Sequence, residues 1–247
     1  MRVATVLAAL ALLAGCRHVP TEKEKVAAES YYNLGVMAQV NNPQEALKEF
    51  ESALEADEAF PEAHNAIGVL LHNSFKRPEE AIRHYKRALE LRPDFSEAKT
   101  NLGNVYLDMG KNDEAIQLYD QVLNDMHYTE PYLAHVNRGW ALYKKGDVRG
   151  GVESIQMAIT INPRLCQGHR DLGIIHDEQG EPQAACDAYR HYRDSCPDAG
   201  EAYYLEGKCL AKQGKTEEAV KDFIGCQAKT APQAMKDECR QYQERYQ

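Results

Sequence analysis

Two hydrophobic patterns share this chain. Val3 to Gly15 is an unbroken apolar and small-residue run behind the single positive charge of Arg2, whereas from about residue 28 onward apolar residues return every three or four positions between short polar turns. The first pattern predicts an export signal over residues 1–15, because its 13 residues fall short of the ~20 that a helix needs to cross a bilayer. The second predicts amphipathic helices and an all-α body.

Those helices repeat. Gly35, Gly68, Gly103, Gly139, Gly173 and Gly207 stand 33, 35, 36, 34 and 34 residues apart. About twelve residues after each comes a second small residue: Ala46, Ala81, Ala115, Gly151, Ala185 and Ala219. Four further on stands a large one: Phe50, Tyr85, Tyr119, Ile155, Tyr189 and Phe223. Two small marks let a pair of antiparallel helices approach closely, the large residue fills the space between them, and Pro93, Pro163 and Pro197 stop the second helix. Gly110, Gly146, Gly180 and Gly214 fall between the paired helices, where a turn needs positive φ.

This register resembles the tetratricopeptide repeat. The resemblance implies a right-handed superhelical solenoid of six units at 28–60, 61–95, 96–131, 132–165, 166–199 and 200–233, with first helices on the concave wall. Residues 234–247 place Met235, Cys239, Tyr242 and Tyr246 on one stripe and predict a capping helix. Irregularity is expected in three places. Asn73–Pro78 lengthens the turn of unit two, Gly151 replaces alanine in unit four, and Asp125–Pro131 adds two residues between units three and four.

The run at the start closes on Leu13-Ala14-Gly15-Cys16, which is similar to the bacterial lipoprotein box. That resemblance implies cleavage before Cys16, acylation of its thiol, and, with Arg17 rather than aspartate following, an outer-membrane destination with the body in the periplasm. Several acyl chains at ~0.8 kcal/mol per buried CH₂ hold a protein firmly where one does not. Residues 16–27 are then a lipidated tether, drawn as extended chain. Export also bears on Cys166, Cys186, Cys196, Cys209, Cys226 and Cys239, because disulfides persist outside the cytosol. Residues equidistant from a helical turn meet, which favours Cys166 with Cys196, Cys186 with Cys209, and Cys226 with Cys239. The alternative is that several are small buried hydrophobes.

Composition narrows the function. With a formal charge of −9, or −10 once Arg2 is removed, the chain is a poor partner for nucleic acid. It carries no phosphate-binding glycine loop, nucleophile elbow, dinucleotide fingerprint or metal-ligand motif, so no catalytic residue, cofactor, metal or small-molecule substrate is assigned. His169 and His176 read as helix-surface histidines, and Arg170, Asp177, Glu178, Lys208 and Lys212 as a solvated stretch. What stands out is an apolar inner wall: Tyr32, Val36 and Val40 in unit one, Val69 in unit two, Leu107 in unit three, and Val136, Trp140 and Tyr143 in unit four. Such a groove suits a peptide or helix of another protein, with Trp140 and Tyr143 as anchors. Alternatively Tyr32, Val40 and Tyr143 pack between adjacent first helices.

A lipid box followed by six such units resembles the pilotins of type IV pilus systems, those serving social gliding motility included. The resemblance implies an outer-membrane lipoprotein that binds a secretin subunit and promotes assembly of the secretin multimer. The other reading is a general envelope scaffold for cell-wall enzymes.

Overall fold

The computed structural model describes residues 19–247; the signal run and Cys16 lie outside the described residues. The described chain forms thirteen helices: α1 (Glu22–Ala38), α2 (Pro43–Ala56), α3 (Pro61–Asn73), α4 (Pro78–Leu91), α5 (Ser96–Asp108), α6 (Asn112–Leu123), α7 (Pro131–Lys145), α8 (Val148–Ile161), α9 (Cys166–Glu178), α10 (Pro182–Ser195), α11 (Gly200–Lys212), α12 (Thr216–Ala228) and α13 (Gln233–Tyr246). Each odd-numbered helix up to α11 pairs with the next in an antiparallel hairpin, and six hairpins stack in chain order into a superhelical solenoid ending on α13. Residues 22–27, expected as extended tether, are instead the first turns of α1. Thr21 caps that helix through a reciprocal bond with Glu24, so the sequence Thr-x-x-Glu starts it earlier than the apolar pattern suggested.

Helix starts follow simple rules. Proline opens α2, α3, α4, α7 and α10, where its missing N–H costs nothing. Gly110, Gly146, Gly180 and Gly214 adopt φ of +72°, +100°, +73° and +76° in the hairpin turns, as their positions require. The longer turn of unit two has no glycine at this point and places Lys76 at φ +55° instead.

Inside every hairpin the first small mark meets the large residue. A Cβ built on Gly68 would stand 2.6 Å from the Tyr85 ring, on Gly103 2.7 Å from Tyr119, and on Gly207 2.9 Å from Phe223. Unit four is the tightest backbone approach: a Cβ on Gly139 would be 2.7 Å from the Gly151 carbonyl oxygen, and one on Gly151 2.8 Å from that of Gly139. That closeness is the reason glycine stands where the other units carry alanine.

The buried side chains link neighbouring units. Phe50, Ile67, Leu71, Tyr85, Leu102 and Val105 form one cluster through the first three hairpins. At the far end α13 buries Cys239 and stacks Tyr242 on Phe223 at 5.0 Å. The six cysteines come together at disulfide distance as Cys166–Cys196, Cys186–Cys209 and Cys226–Cys239, with Cα separations of 6.0, 5.5 and 6.4 Å. They join the two ends of unit five, unit five to unit six, and unit six to α13.

Candidate protein-docking surface

In units one and four the residue three before the repeat glycine does not line the groove. Tyr32 is half-buried, with its ring 5.5 Å from Phe50 and 5.3 Å from Phe60, and Val136 is fully buried in a cluster with Ile155, Ala158, Leu165 and Leu172. Both were expected on the inner wall. They are roofed by an apolar residue just before the next unit's first helix, Phe60 over Tyr32 and Leu165 beside Val136, so in these two units the position belongs to the seam between units.

The positions one and four after the glycine do face the groove. Here the units differ. From unit two to the cap, side chains of successive first helices are tied rung to rung. Asn101 Nδ2 donates to Asn65 Oδ1 at 3.0 Å, Asn137 Nδ2 to Asn104 Oδ1 at 2.8 Å, and Gln167 Nε2 to Asn137 Oδ1 at 2.9 Å. His72 Nε2 lies 2.9 Å from Asp108, Lys212 Nζ reaches Asp177 at 2.7 Å, and the Tyr143 and Tyr204 hydroxyls donate to Glu178 and Glu238. Asp177, Glu178 and Lys212, expected to be merely solvated, are therefore paired across units. The Glu178 carboxylate holds the Tyr143 phenol up to about 12.

Unit one carries no such polar rung. Val36 is 38 % exposed on α1, and Val40, in the turn after α1 rather than on it, is 82 % exposed. Val69 is half-buried against the first core cluster. Between units three and four the Asn104–Asn137 rung leaves a hollow beside it. There Leu107 and Trp140, both half-buried, line a cavity of about 640 Å³ with Asn104, Asn137, Gln167 and Arg170. The Trp140 ring centre lies 5.3 Å from that of Tyr143 and 4.7 Å from Lys144 Nζ, so the ring is partly covered by its own neighbours. The predicted groove residues thus divide: Val36 and Val40 stand free, Leu107 and Trp140 share a cavity, Tyr143 and Val69 are held, and Tyr32 and Val136 are core.

The sequence reading missed the histidines. His169 is buried, not on the surface, and its Nε2 lies 2.9 Å from the Pro163 carbonyl oxygen. His64, at the same register, donates from Nε2 to the Glu58 carbonyl at 3.2 Å, which leaves its Nδ1 to accept from His84 Nδ1 at 3.2 Å. Burial lowers both, His84 to about 4, so the pair is neutral at pH 7. The shared position four before the glycine in His64, His135 and His169 was the available signal. Among the described residues no three His, Cys, Asp or Glu side chains are grouped to hold a metal ion, and no helix is long and apolar enough to cross a membrane.

Comparison with known proteins agrees with this architecture. No curated protein matches the sequence. PilW, a widely conserved type IV pilus biogenesis factor, superimposes with a TM-score of 0.76 at 18 % identity, over 85 % of this chain and 97 % of that one. PilF of Pseudomonas aeruginosa superimposes with a TM-score of 0.73 at 17 % identity, over 89 % and 99 %. A tetratricopeptide repeat protein from Parabacteroides merdae gives 0.70 at 19 %, over 88 % and 84 %. Two models of the tetratricopeptide repeat match the sequence itself, one over residues 38–94 and 170–224 and the other over 73–134, together more than half of the chain. With the glycine register and six stacked hairpins, these matches make the chain a member of the tetratricopeptide repeat family.

Proposed function

We propose that this chain is a pilotin. An acylated Cys16 holds it at the inner leaflet of the outer membrane with its body in the periplasm. The inner wall of unit one, continued by the Leu107–Trp140 cavity, takes a segment of a type IV pilus secretin subunit. Tethering then raises the local concentration of subunits where the ring forms, so the assistance is binding and not catalysis. One observation carries the reading: the inner wall is laced by polar rungs elsewhere but offers bare Val36 and Val40 beside the anchored end. The likeness in fold to PilW and PilF supports the choice of partner. Among pilotins we place the chain beside Tgl, the social-motility lipoprotein of gliding bacteria, on the strength of the lipid box and the six units.

The test is the yield of heat-resistant secretin multimers. Val36→Glu and Trp140→Glu each put a charge where the segment would be buried and are expected to lower that yield several-fold; undiminished multimers would refute the groove. Cys16→Gly is expected to impair assembly as well, and full assembly without the thiol would remove the tether from the mechanism. Recovery of cell-wall hydrolases or synthases, and no secretin, from solubilised envelopes would replace the pilotin reading by a general envelope scaffold.

A further inference from the structure

The first hairpin has a second bare face. The residues five before, one before and two after the repeat glycine are Ala63, Ile67 and Leu70 in α3 and Ala98, Leu102 and Val105 in α5, all between 0 and 3 % exposed. They are buried because α2 packs on α3 and α4 packs on α5. The same positions in α1 are Ser30, Leu34 and Met37. No helix precedes α1 among the described residues, and Leu34 is 48 % and Met37 79 % exposed, with Val26 beside them at 64 %. The face is built to the pattern of an inter-unit seam, and among the described residues nothing supplies its second half. It is distinct from the inner wall, which Val36 represents a third of a turn away.

We propose that this face pairs with a second copy of the same chain, α1 against α1 in antiparallel sense about a two-fold axis. The face is self-complementary, as a two-fold interface demands. Ala27, Ser30, Leu34 and Met37 follow one another at spacings of 3, 4 and 3, a single stripe of the helix. The stripe is small in its first half and large in its second. An antiparallel copy therefore sets Leu34 opposite Ser30 of the second copy and Met37 opposite its Ala27, and the reciprocal contacts follow by symmetry. Large meets small along the whole line, as in a packed core. The stripe itself carries no charge. Only one helix per copy is engaged, so the dimer is weak, and acyl anchors at Cys16 would favour it by confining both copies to one plane.

Sedimentation equilibrium of the purified chain tests this. At on the order of 100 µM the mass of two chains is expected, and Leu34→Glu is expected to weaken association at least tenfold and return the mass of one. Circular dichroism checks that the variant is folded, which its exposed position predicts. Val36→Glu, on the inner wall, is expected to leave the dimer intact, so loss of secretin assembly and loss of pairing are separable. Mixing an Ala27→Cys chain with a Met37→Cys chain is expected to give a covalent pair on oxidation, and Ala27→Cys alone none. A single-chain mass at that concentration would overturn the proposal and leave the face to a helix of another protein. A two-chain mass that survives Leu34→Glu, or an Ala27→Cys homodimer, would overturn it equally.

Discussion

Gly68→Ala adds one methyl group at a place where the structure has none to spare. The new Cβ would lie 2.6, 2.8 and 2.9 Å from Cε1, Cζ and Cδ1 of Tyr85, about 1 Å inside ordinary carbon contact. Tyr85 is 1 % exposed and wedged in the cluster with Ile67, Leu71 and Leu102, so the ring has nowhere to swing. Overpacking of this kind costs about 1–3 kcal/mol, here toward the upper end, whereas alanine in place of a helical glycine gains up to about 1 kcal/mol. The steric loss wins, with a net loss of about 1–2 kcal/mol. For a chain of this length each kcal/mol moves the melting midpoint by about 2–4 °C, so calorimetry should find Tm lower by roughly 2–8 °C. Tyr85→Leu removes the obstacle, and the double variant should lose less than the sum of the two singles. An unchanged or raised Tm for Gly68→Ala, or strict additivity with Tyr85→Leu, would refute the close-approach account of the repeat glycines.

Other perturbations separate the two ends of the solenoid. Replacing Cys186 and Cys209 together by serine opens a link with a sequence separation of 23 and should cost about 2–4 kcal/mol, read in urea by hydrogen exchange in α10 and α11 and not in α3. Glu206 is 1 % exposed, and burial, with Asp222 beside it, raises its carboxyl to about 7 against the pull of Arg193 at 3.0 Å and Arg190 at 3.3 Å. An acid with a raised folded pKa binds its proton more tightly when folded, so stability from Glu206 is complete below about 4.5 and declines as pH rises through 7. Unit six should therefore show lower amide protection factors, with the base-catalysed intrinsic rate divided out, at pH 8 than at pH 5.5, and Glu206→Gln should flatten that difference. The His64–His84 pair runs the other way. With His84 lowered to about 4, its contribution is complete above the ordinary histidine pKa of 6.5 and lost as pH falls toward 4, so α3 and α4 should loosen over the range in which unit six tightens. Parallel responses of the two units would contradict these assignments.

How far the sequence could be read depends on how far apart the partners stand. The glycine-to-aromatic match of each hairpin is legible because both residues sit in one unit at fixed spacing, and so is the pairing of cysteines about a turn. Tyr32 and Val136 were misplaced because what covers them, Phe60 and Leu165, stands at the far end of the same unit, after its second helix, and nothing in α1 or α7 alone announces it. The rungs of the inner wall were invisible for the same reason. Asn65 and Asn101 are 36 residues apart, and each alone is an unremarked polar residue on a helix. The early start of α1 was legible in Thr21 and Glu24, and a capping box there overrides the weak apolar pattern that follows.

The distribution of support along the solenoid connects these features to docking. Units five and six and α13 are joined by the three cysteine pairs, and α13 covers the last hairpin with stacked tyrosines. Among the described residues the first hairpin has neither a cysteine pair nor a covering helix, and seven of the exposed large hydrophobic residues, from Val19 to Val40, lie at this end. An end left bare is unfavourable for an isolated repeat array, whose terminal units need a polar outer face. It becomes favourable if something binds there, because a ligand of the folded state alone adds RT ln(1 + [L]/Kd), about 2.7 kcal/mol at a hundredfold excess over Kd. That stabilisation falls on the unit that lacks internal support. Occupancy of α1 should accordingly slow amide exchange in α1 to α4 while leaving α9 to α13, already stapled, unchanged; slowing spread evenly over the chain would mean that the solenoid responds as one body and that its two ends are not specialised.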